Sequence, residues 1–374
     1  MVDSLYIHIP FCRKKCLYCD FYSIGYQPDL AGRYIDVLCR QIKDWKGRFK
    51  TIYIGGGTPT VLAISDWQRL LKVLKSKQAV ECEFTVEANP ESLTEAQLKV
   101  LVAGGLNRIS IGLQSLSDEK LKKLGRIHSA GQALEAVAKA KKSGIDNISI
   151  DLIFGLWQEK GSDWQKELEK AVKLPVKHIS LYSLTYEKGT LLFKAKAAKT
   201  INPLDEARVA GMYKYAVSFL NRKGFQQYEI SNFSKPGYQC RHNLNYWDNQ
   251  PYLGLGASAV TYQGGVRKQY LADCGRYIKA VKSGKDSLSW KEKLLPERRA
   301  KETAAVKIRT VSGIDFDWFK AKTGFDFLAL EADWLKEALA QHLVRYRHKD
   351  RRICGLVLTK KGLLFSDSVS SLFL

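Results

Sequence analysis

No uncharged apolar run in this 374-residue chain approaches the roughly 18–20 residues that a membrane-spanning helix needs. The longest uncharged stretch, Asn249 to Val266, is broken by Gln, Gly and Pro and reads as loop and short strand. The opening run, MVDSLYIHIPFCRKKC, lacks the basic n-region and long apolar core of a secretory signal, so no export is expected. Internal repeats and low-complexity tracts are missing as well. Disorder is excluded, because 45% of residues are hydrophobic and 26% charged, an ordinary globular balance. Acidic residues are the scarce class: 38 Asp+Glu face 60 Lys+Arg, which leaves a formal charge of +22. The cations are scattered, with denser patches at Lys194–Lys199, Lys291–Lys301 and Arg345–Arg352. Such a surface attracts phosphates, carboxylates or anionic lipid faces, although it is also common among soluble chains of basic proteomes.

The length suggests two or three domains. With no export signal, the eight cysteines are expected in a reducing, cytoplasmic compartment, where clustered thiols bind metals more often than they form disulfides. Up to about residue 185 the pattern is strand, glycine-bearing turn, amphipathic helix, repeated. Candidate strands are Leu5–Ile9, Thr51–Ile54, Glu83–Glu87, Arg108–Gly112, Asn147–Ile153 and His178–Ser183. The clearest helix starts at Asp29, with Leu30, Tyr34, Val37, Leu38, Ile42 and Trp45 on one face. Another starts at Ala130, with Leu134, Val137 and Ala138 as its inner stripe and Gly144 as its stop. Alternating strands and helices imply a parallel sheet with right-handed crossovers, and six such units can curl into a partial barrel. Beyond it, Glu187 to Pro203 reads as a linker or exposed excursion. A helix from Asp205 to about Arg222 should turn Ala210, Tyr213, Val217 and Leu220 inward. From about Lys291 the chain is mostly helical, with Ile353–Leu358 as a strand of a hairpin or wing.

In parallel α/β sheets, function gathers where the strands end and the βα loops converge. Five successive strand ends here carry chemistry: Cys12, Cys16 and Cys19; then Gly55-Gly56-Gly57-Thr58-Pro59; then Glu87-Ala88-Asn89-Pro90; then Gly112-Leu113-Gln114-Ser115; then Asp151. The glycine run lacks both the GK[ST] ending of a phosphate loop and the GxGxxG spacing. The triplet is C-x3-C-x2-C. Free thiols and a zinc site completed by His8 are alternatives, but a [4Fe–4S] cluster fits better, since three thiolates leave one of its irons without a protein ligand. That iron can chelate the amino and carboxylate groups of S-adenosylmethionine (SAM), and an electron from the cluster then splits the sulfonium S–C bond.

With Tyr18 before the last cysteine, this pattern resembles the radical SAM superfamily, and GGGTP resembles the superfamily's glycine motif. LYIHIPFC, CDFYS, GGGTPT, VEANP, GLQS, DLIFGLW and YEISNFSKPGYQCRHNLNYW are similar to the oxygen-independent coproporphyrinogen oxidase branch, and within it to the HemW-type heme chaperones. The oxidase motif has a fourth cysteine where this chain has Phe21, and the chaperones' HNxxYW signature stands here as His242-Asn243-Leu244-Asn245-Tyr246-Trp247. The resemblance implies that Tyr6 and Gly56 contact the SAM on the cluster and that Glu87 binds its polar part. Tyr18, Gly57, Thr58, Gln114, Arg126 and Asp151 match positions around SAM, or around a second SAM, in the related oxidase.

The resemblance also implies a heme contact at His242, most simply as an axial ligand. Tyr246, Trp247 and Tyr252 would supply flat apolar surface, Arg241 could pair with a propionate, and Cys240 is a competing ligand. Alternatively, His242-Asn243 is a loop hydrogen-bonding pair that organises the barrel's mouth, with Tyr246 and Trp247 as core. The sequence thus predicts an α/β chain whose radical SAM partial (β/α)6 barrel fills residues 1–185. An extension bearing the HNxxYW segment follows in 186–290, and a small, mainly helical C-terminal domain in 291–374. One [4Fe–4S] cluster, SAM and heme are expected, with heme passed to acceptor hemoproteins by a monomer or dimer. Peripheral membrane contact is compatible with the charge, whereas no RNA-binding module is evident and nucleic acid is not expected. The alternative function is oxygen-independent coproporphyrinogen III oxidation.

Overall fold

Side chains that alternate with a period of two decide the architecture. Leu5, Ile7 and Ile9 alternate with Ser4, Tyr6 and His8; Ile52 and Ile54 with Thr51 and Tyr53; Phe84 and Val86 with Glu83, Thr85 and Glu87; Ile109 and Ile111 with Arg108 and Ser110. One face of each strand is therefore apolar and the other polar. In the computed structural model, which describes residues 2–373, these segments form six parallel neighbours in chain order. They are β1 (Ser4–Ile9), β2 (Phe49–Gly56), β3 (Gln78–Ala88), β4 (Arg108–Gln114), β5 (Asn147–Phe154) and β6 (His178–Ser183). The connecting helices are α1 (Pro28–Asp44), α2 (Ile64–Lys75), α3 (Glu95–Ala103), α4 (Asp118–Leu124), α5 (Ala130–Lys142) and α6 (Gly161–Ala171). Their inner stripes bury the apolar strand faces in one large core, each aliphatic side chain contributing about 1.5–3 kcal/mol.

The register sets the polar faces side by side: Ser4 against Thr51, Tyr6 against Tyr53, Tyr53 against Thr85, Glu87 against Ser110, and Ser110 against Ser149. The sheet stays open. Leu253–Leu255 adds a parallel strand beside β1, and Asn232–Ser234 adds an antiparallel one beside β6. Tyr34 of α1 ties helix to sheet, its hydroxyl donating to the His8 carbonyl (2.9 Å) and accepting from the Ala257 N–H (2.7 Å).

Three expectations need correction. The buried stripe of α5 is Ala133, Ala136, Val137 and Ala140, while Leu134 is 46% exposed and Ala138 faces solvent. Small alanines let this helix sit close to the sheet, so size and not hydrophobicity picks the face. Residues 187–203 contain a helix, α7 (Leu191–Ala197), where a linker was expected. Thr190 caps it, accepting from the Phe193 N–H, and Leu192 is buried with Leu124, Ile153, Leu156 and Leu184. The following helix, α8 (Glu206–Arg222), buries Met212, Ala216, Phe219 and Leu220; Ala210, Tyr213 and Val217 are only half-buried.

A seven-residue helix, α9 (Arg241–Trp247), carries the HNxxYW segment and lies against the beginning of β2. Toward the C-terminus a second core gathers around Ala304, Ile308, Phe319, Phe327, Trp334 and Leu356. Helices 296–307, 316–323 and 332–340 lead into a hairpin of Val344–Lys349 and Arg352–Leu358, onto which Ile314–Asp315 pairs, in a winged-helix arrangement. Asp350 and Arg351 at its tip both have positive φ, as a two-residue type I′ turn requires. Among the described residues no helix is long and apolar enough to cross a membrane.

The corrected α5 stripe has a direct check in chemical denaturation. Leu134→Ala should change stability by less than about 0.5 kcal/mol, whereas Ala133→Leu, which overfills a fully buried position, should cost about 1–3 kcal/mol.

Candidate functional site

The three cysteines lie on the loop that leaves β1, and two of their sulfurs already receive hydrogen bonds. Thr58 Oγ1 donates to Cys12 Sγ (3.5 Å) and Arg126 Nη1 donates to Cys16 Sγ (3.3 Å). Asn89 joins the two donors: its Nδ2 reaches Thr58 Oγ1 (2.9 Å), and its Oδ1 accepts from Arg126 Nη2 (2.7 Å). Arg126 also bonds the Gly112 carbonyl (3.0 Å), and the buried His128 beside it pairs with Glu91 (3.1 Å). Cys12, Cys16, Thr58, Gly57 and Arg126 therefore share one small region, with the half-buried Tyr18 near Arg126.

Two glycines owe their identity to this crowding. A Cβ on Gly57 would stand 2.8 Å from the Phe11 carbonyl and 3.0 Å from Cys12 Sγ. One on Gly112 would stand 2.7 Å from Gln114 Nε2 and 3.0 Å from Asn89 Oδ1. Gln114 itself holds a left-handed backbone, φ +62°, which aims its amide back over the strand end.

Glu87 organises the inner face beside the glycine run. Its carboxylate accepts from Tyr53 Oη (2.8 Å) and from the Gly56 N–H (3.2 Å). Burial is the main cause that pushes its pKa up to about 7, and the Tyr53 hydrogen bond opposes the rise. Asp151, on the next but one strand, accepts from Ser110 Oγ (3.3 Å); burial raises it too. Tyr6 bonds His8 Nδ1 (3.0 Å) and stacks on Tyr53 with centroids 6.3 Å apart. His8 Nε2 faces the Tyr22 carbonyl (3.0 Å), so both ring nitrogens are used, and burial holds the imidazole neutral. That removes His8 as a fourth zinc ligand. Among the described residues no three His, Cys, Asp or Glu side chains converge on a single-ion site.

The donor set fits an iron–sulfur cluster with SAM. Cys12 and Cys19 are raised by burial, Cys19 to about 11, so as free thiols they keep their protons, which metal binding displaces. With Cys12 and Cys16 as thiolates, Thr58 and Arg126 would supply hydrogen bonds of the kind that tune a cluster's potential. Glu87 and Asp151 offer acceptors for ribose hydroxyls or an ammonium group.

His242 lies on α9, away from the cysteine loop. It is 1% exposed, its Nδ1 bonds Thr51 Oγ1 (2.8 Å) and its Nε2 bonds Tyr246 Oη (3.0 Å). No ring nitrogen is free for an iron in this arrangement. Thr51 also precedes Gly56 by five residues, about 16 Å along a strand, so the HNxxYW helix sits at the far end of the sheet from the cysteines. Cys240 is no better placed, being buried with its thiol against Glu83 Oε1 (3.6 Å). Sequence reasoning missed Asn89 and Tyr53 as connecting residues. The signal for Tyr53 was its place on the polar face, two residues before Gly55.

Residues 6–171 match the Radical SAM superfamily, and the chain superimposes on a solved structure of coproporphyrinogen III oxidase from Escherichia coli with a TM-score of 0.84. That match has 22% identity and covers 99% of this chain and 89% of the other, and it places the fold with the radical SAM proteins. At the level of sequence, the chain is 35% identical to the heme chaperone HemW of Lactococcus lactis, over 100% of its own length and 97% of that protein's. It is 32% identical to HemW of Bacillus subtilis, over 100% and 99% respectively. The chain belongs to the HemW family of radical SAM proteins.

The raised Glu87 gives a prediction with a definite sign. A folded pKa of about 7 against an ordinary 4.5 means that ionising Glu87 destabilises the fold; the contribution is favourable below 4.5 and lost as pH rises through 7. Glu87→Gln should therefore stabilise the SAM-free chain by up to about 3 kcal/mol at pH 8, shrinking to roughly 1 kcal/mol at pH 5. Denaturant titration at the two pH values reads the difference; equal effects at both would contradict the buried-carboxylate assignment.

Proposed function

We propose that this chain is a cytoplasmic heme chaperone that takes up heme and passes it to acceptor hemoproteins. In this reading Cys12, Cys16 and Cys19 hold a [4Fe–4S] cluster, and SAM lies against Tyr6, Gly56 and Glu87. Tyr18, Gly57, Thr58, Gln114, Arg126 and Asp151 complete its surroundings. What supports the reading is the 35% identity to a heme chaperone across both full lengths, together with Phe21 at the oxidase's fourth-cysteine position.

When bound, the cluster and SAM supply one-electron cleavage of a sulfonium S–C bond. The residues of the chain hold and screen. Thr58 and Arg126 keep donors on the sulfurs, Asn89 keeps those donors in place, and Gly57 lets the backbone close over Cys12. Glu87 accepts from the ligand when ionised, so SAM affinity should rise as pH passes through about 7. The basic patches on the exposed helix α7, on strand 288–293 and on the hairpin 344–358 face solvent; in this reading they attract acidic acceptor proteins or an anionic membrane face.

One anoxic preparation tests the proposal against its rival. Protein loaded with hemin should transfer it to an apo-hemoprotein, followed by the Soret band, and should leave coproporphyrinogen III unchanged in the presence of SAM and a reductant. SAM-dependent decarboxylation of coproporphyrinogen III without heme transfer would overturn the proposal in favour of the oxidase.

A further inference from the structure

The HNxxYW helix lies at the opposite end of the sheet from the cysteines, yet an unbroken series of contacts joins it to Glu87. Glu83 seats the helix: its carboxylate accepts the backbone N–H groups of Arg241 (3.0 Å) and His242 (3.1 Å), the free donors of the first turn. The seated His242 ring stacks on Tyr53, with centroids 5.2 Å apart and planes inclined by 27°. Tyr53 in turn donates to Glu87 Oε1 at 2.8 Å, and Glu87 Oε2 accepts from Gly56 at 3.2 Å.

The imidazole is fixed in rotation as well as position. Thr51 Oγ1 donates to Ser4 Oγ (2.9 Å), so it accepts from His242 Nδ1–H, and Nε2 is left to accept from Tyr246 Oη. Tyr246 closes the other side, edge-on to the ring at 4.9 Å. Burial, followed by the nearby Arg108, lowers the His242 pKa to about 3, so the ring stays neutral and keeps this pattern at any physiological pH. The Tyr53 ring meets both Tyr6 and His242, and Glu87 is the hydrogen-bond partner of its hydroxyl. Whatever shifts the His242 ring shifts the Tyr53 ring, and with it the donor that orients Glu87.

We infer that His242 is a positioning residue for SAM: its neutral ring fixes Tyr53, and Tyr53 fixes the Glu87 carboxylate. The inference rests on the reading of Glu87 as a SAM contact, and it gives the HNxxYW segment a task at the SAM site that does not involve ligating heme iron.

Equilibrium dialysis of SAM against the anoxically reconstituted full-length protein tests it, with iron content and hemin titration measured on the same samples. His242→Ala should weaken SAM binding roughly tenfold, with iron content and the 1:1 hemin Soret change kept. Tyr53→Phe, which removes one hydroxyl, should weaken it by a similar factor. The double variant should be no weaker than the worse single one within about threefold, because both act through one carboxylate. His242→Gln can keep both polar contacts but not the stacked ring; it should also bind SAM more weakly, and it serves if the alanine variant does not fold. Wild-type SAM affinity in both His242 variants overturns the inference, as do factors that multiply in the double variant. So does loss of the hemin complex with SAM affinity intact. Glu87→Gln separates the levels: weakened SAM binding there with none in the His242 variants refutes the relay alone, whereas unchanged binding in Glu87→Gln refutes the Glu87 assignment beneath it.

Discussion

A sheet whose inner face carries Glu83, Glu87, Asp151 and Arg108 encloses four ionisable groups, and each costs several kcal/mol to bury unless a neighbour answers it. The fold supplies those answers from elements distant in sequence. The amides that open α9 reach Glu83, Tyr53 and Gly56 reach Glu87, and Ser110 reaches Asp151. Burial alone would make Arg108 less basic, but the groups packed around it, the Glu83 carboxylate among them, raise its pKa. Its Nε nevertheless finds no partner. An apolar interior would be easier to build. A polar one leaves acceptors next to the cysteine loop, which a charged, hydroxyl-rich ligand needs.

The same economy governs the cysteine loop. Thr58, Asn89 and Arg126 come from the ends of β2 and β3 and from the segment after α4, and together they place donors on two sulfurs. The packing behind the loop is equally distributed. The Leu17 carbonyl accepts from Leu192 of α7, and the Leu17 N–H donates to Leu124 of α4. The stretch read as a linker is thus part of the loop's support.

Much of this was legible in the residues. All six core strands lie where the alternating Ile, Leu and Val positions put them, and the chemistry does sit at successive strand ends, because parallel strands bring their βα loops together whatever the helices between them look like. Three things were not legible. A helical period cannot say which of two adjacent stripes faces the sheet when alanines compete with a leucine, so α5 came out rotated. A Lys/Ala/Thr-rich stretch reads as linker until Leu192 is seen buried with Leu124, Ile153, Leu156 and Leu184. The HNxxYW segment left two readings open, a heme contact and a hydrogen-bonding pair with aromatic core, because histidine next to aromatics suits both. Its Nε2 partner, Tyr246, lies within the motif, but its burial and its Nδ1 hydrogen bond depend on Ser4, Thr51 and Glu83, some 160–240 positions away, which no local pattern contains.

The central claim is that the three loop thiols hold a four-iron cluster with one iron left for SAM. Anoxic reconstitution, iron and sulfide analysis, and electron paramagnetic resonance of the reduced protein test it together. The account predicts about four irons and four sulfides per chain, with a resonance whose shape changes when SAM is added. A colourless chain that takes up no sulfide, or a stoichiometric cluster whose spectrum ignores SAM, would contradict it.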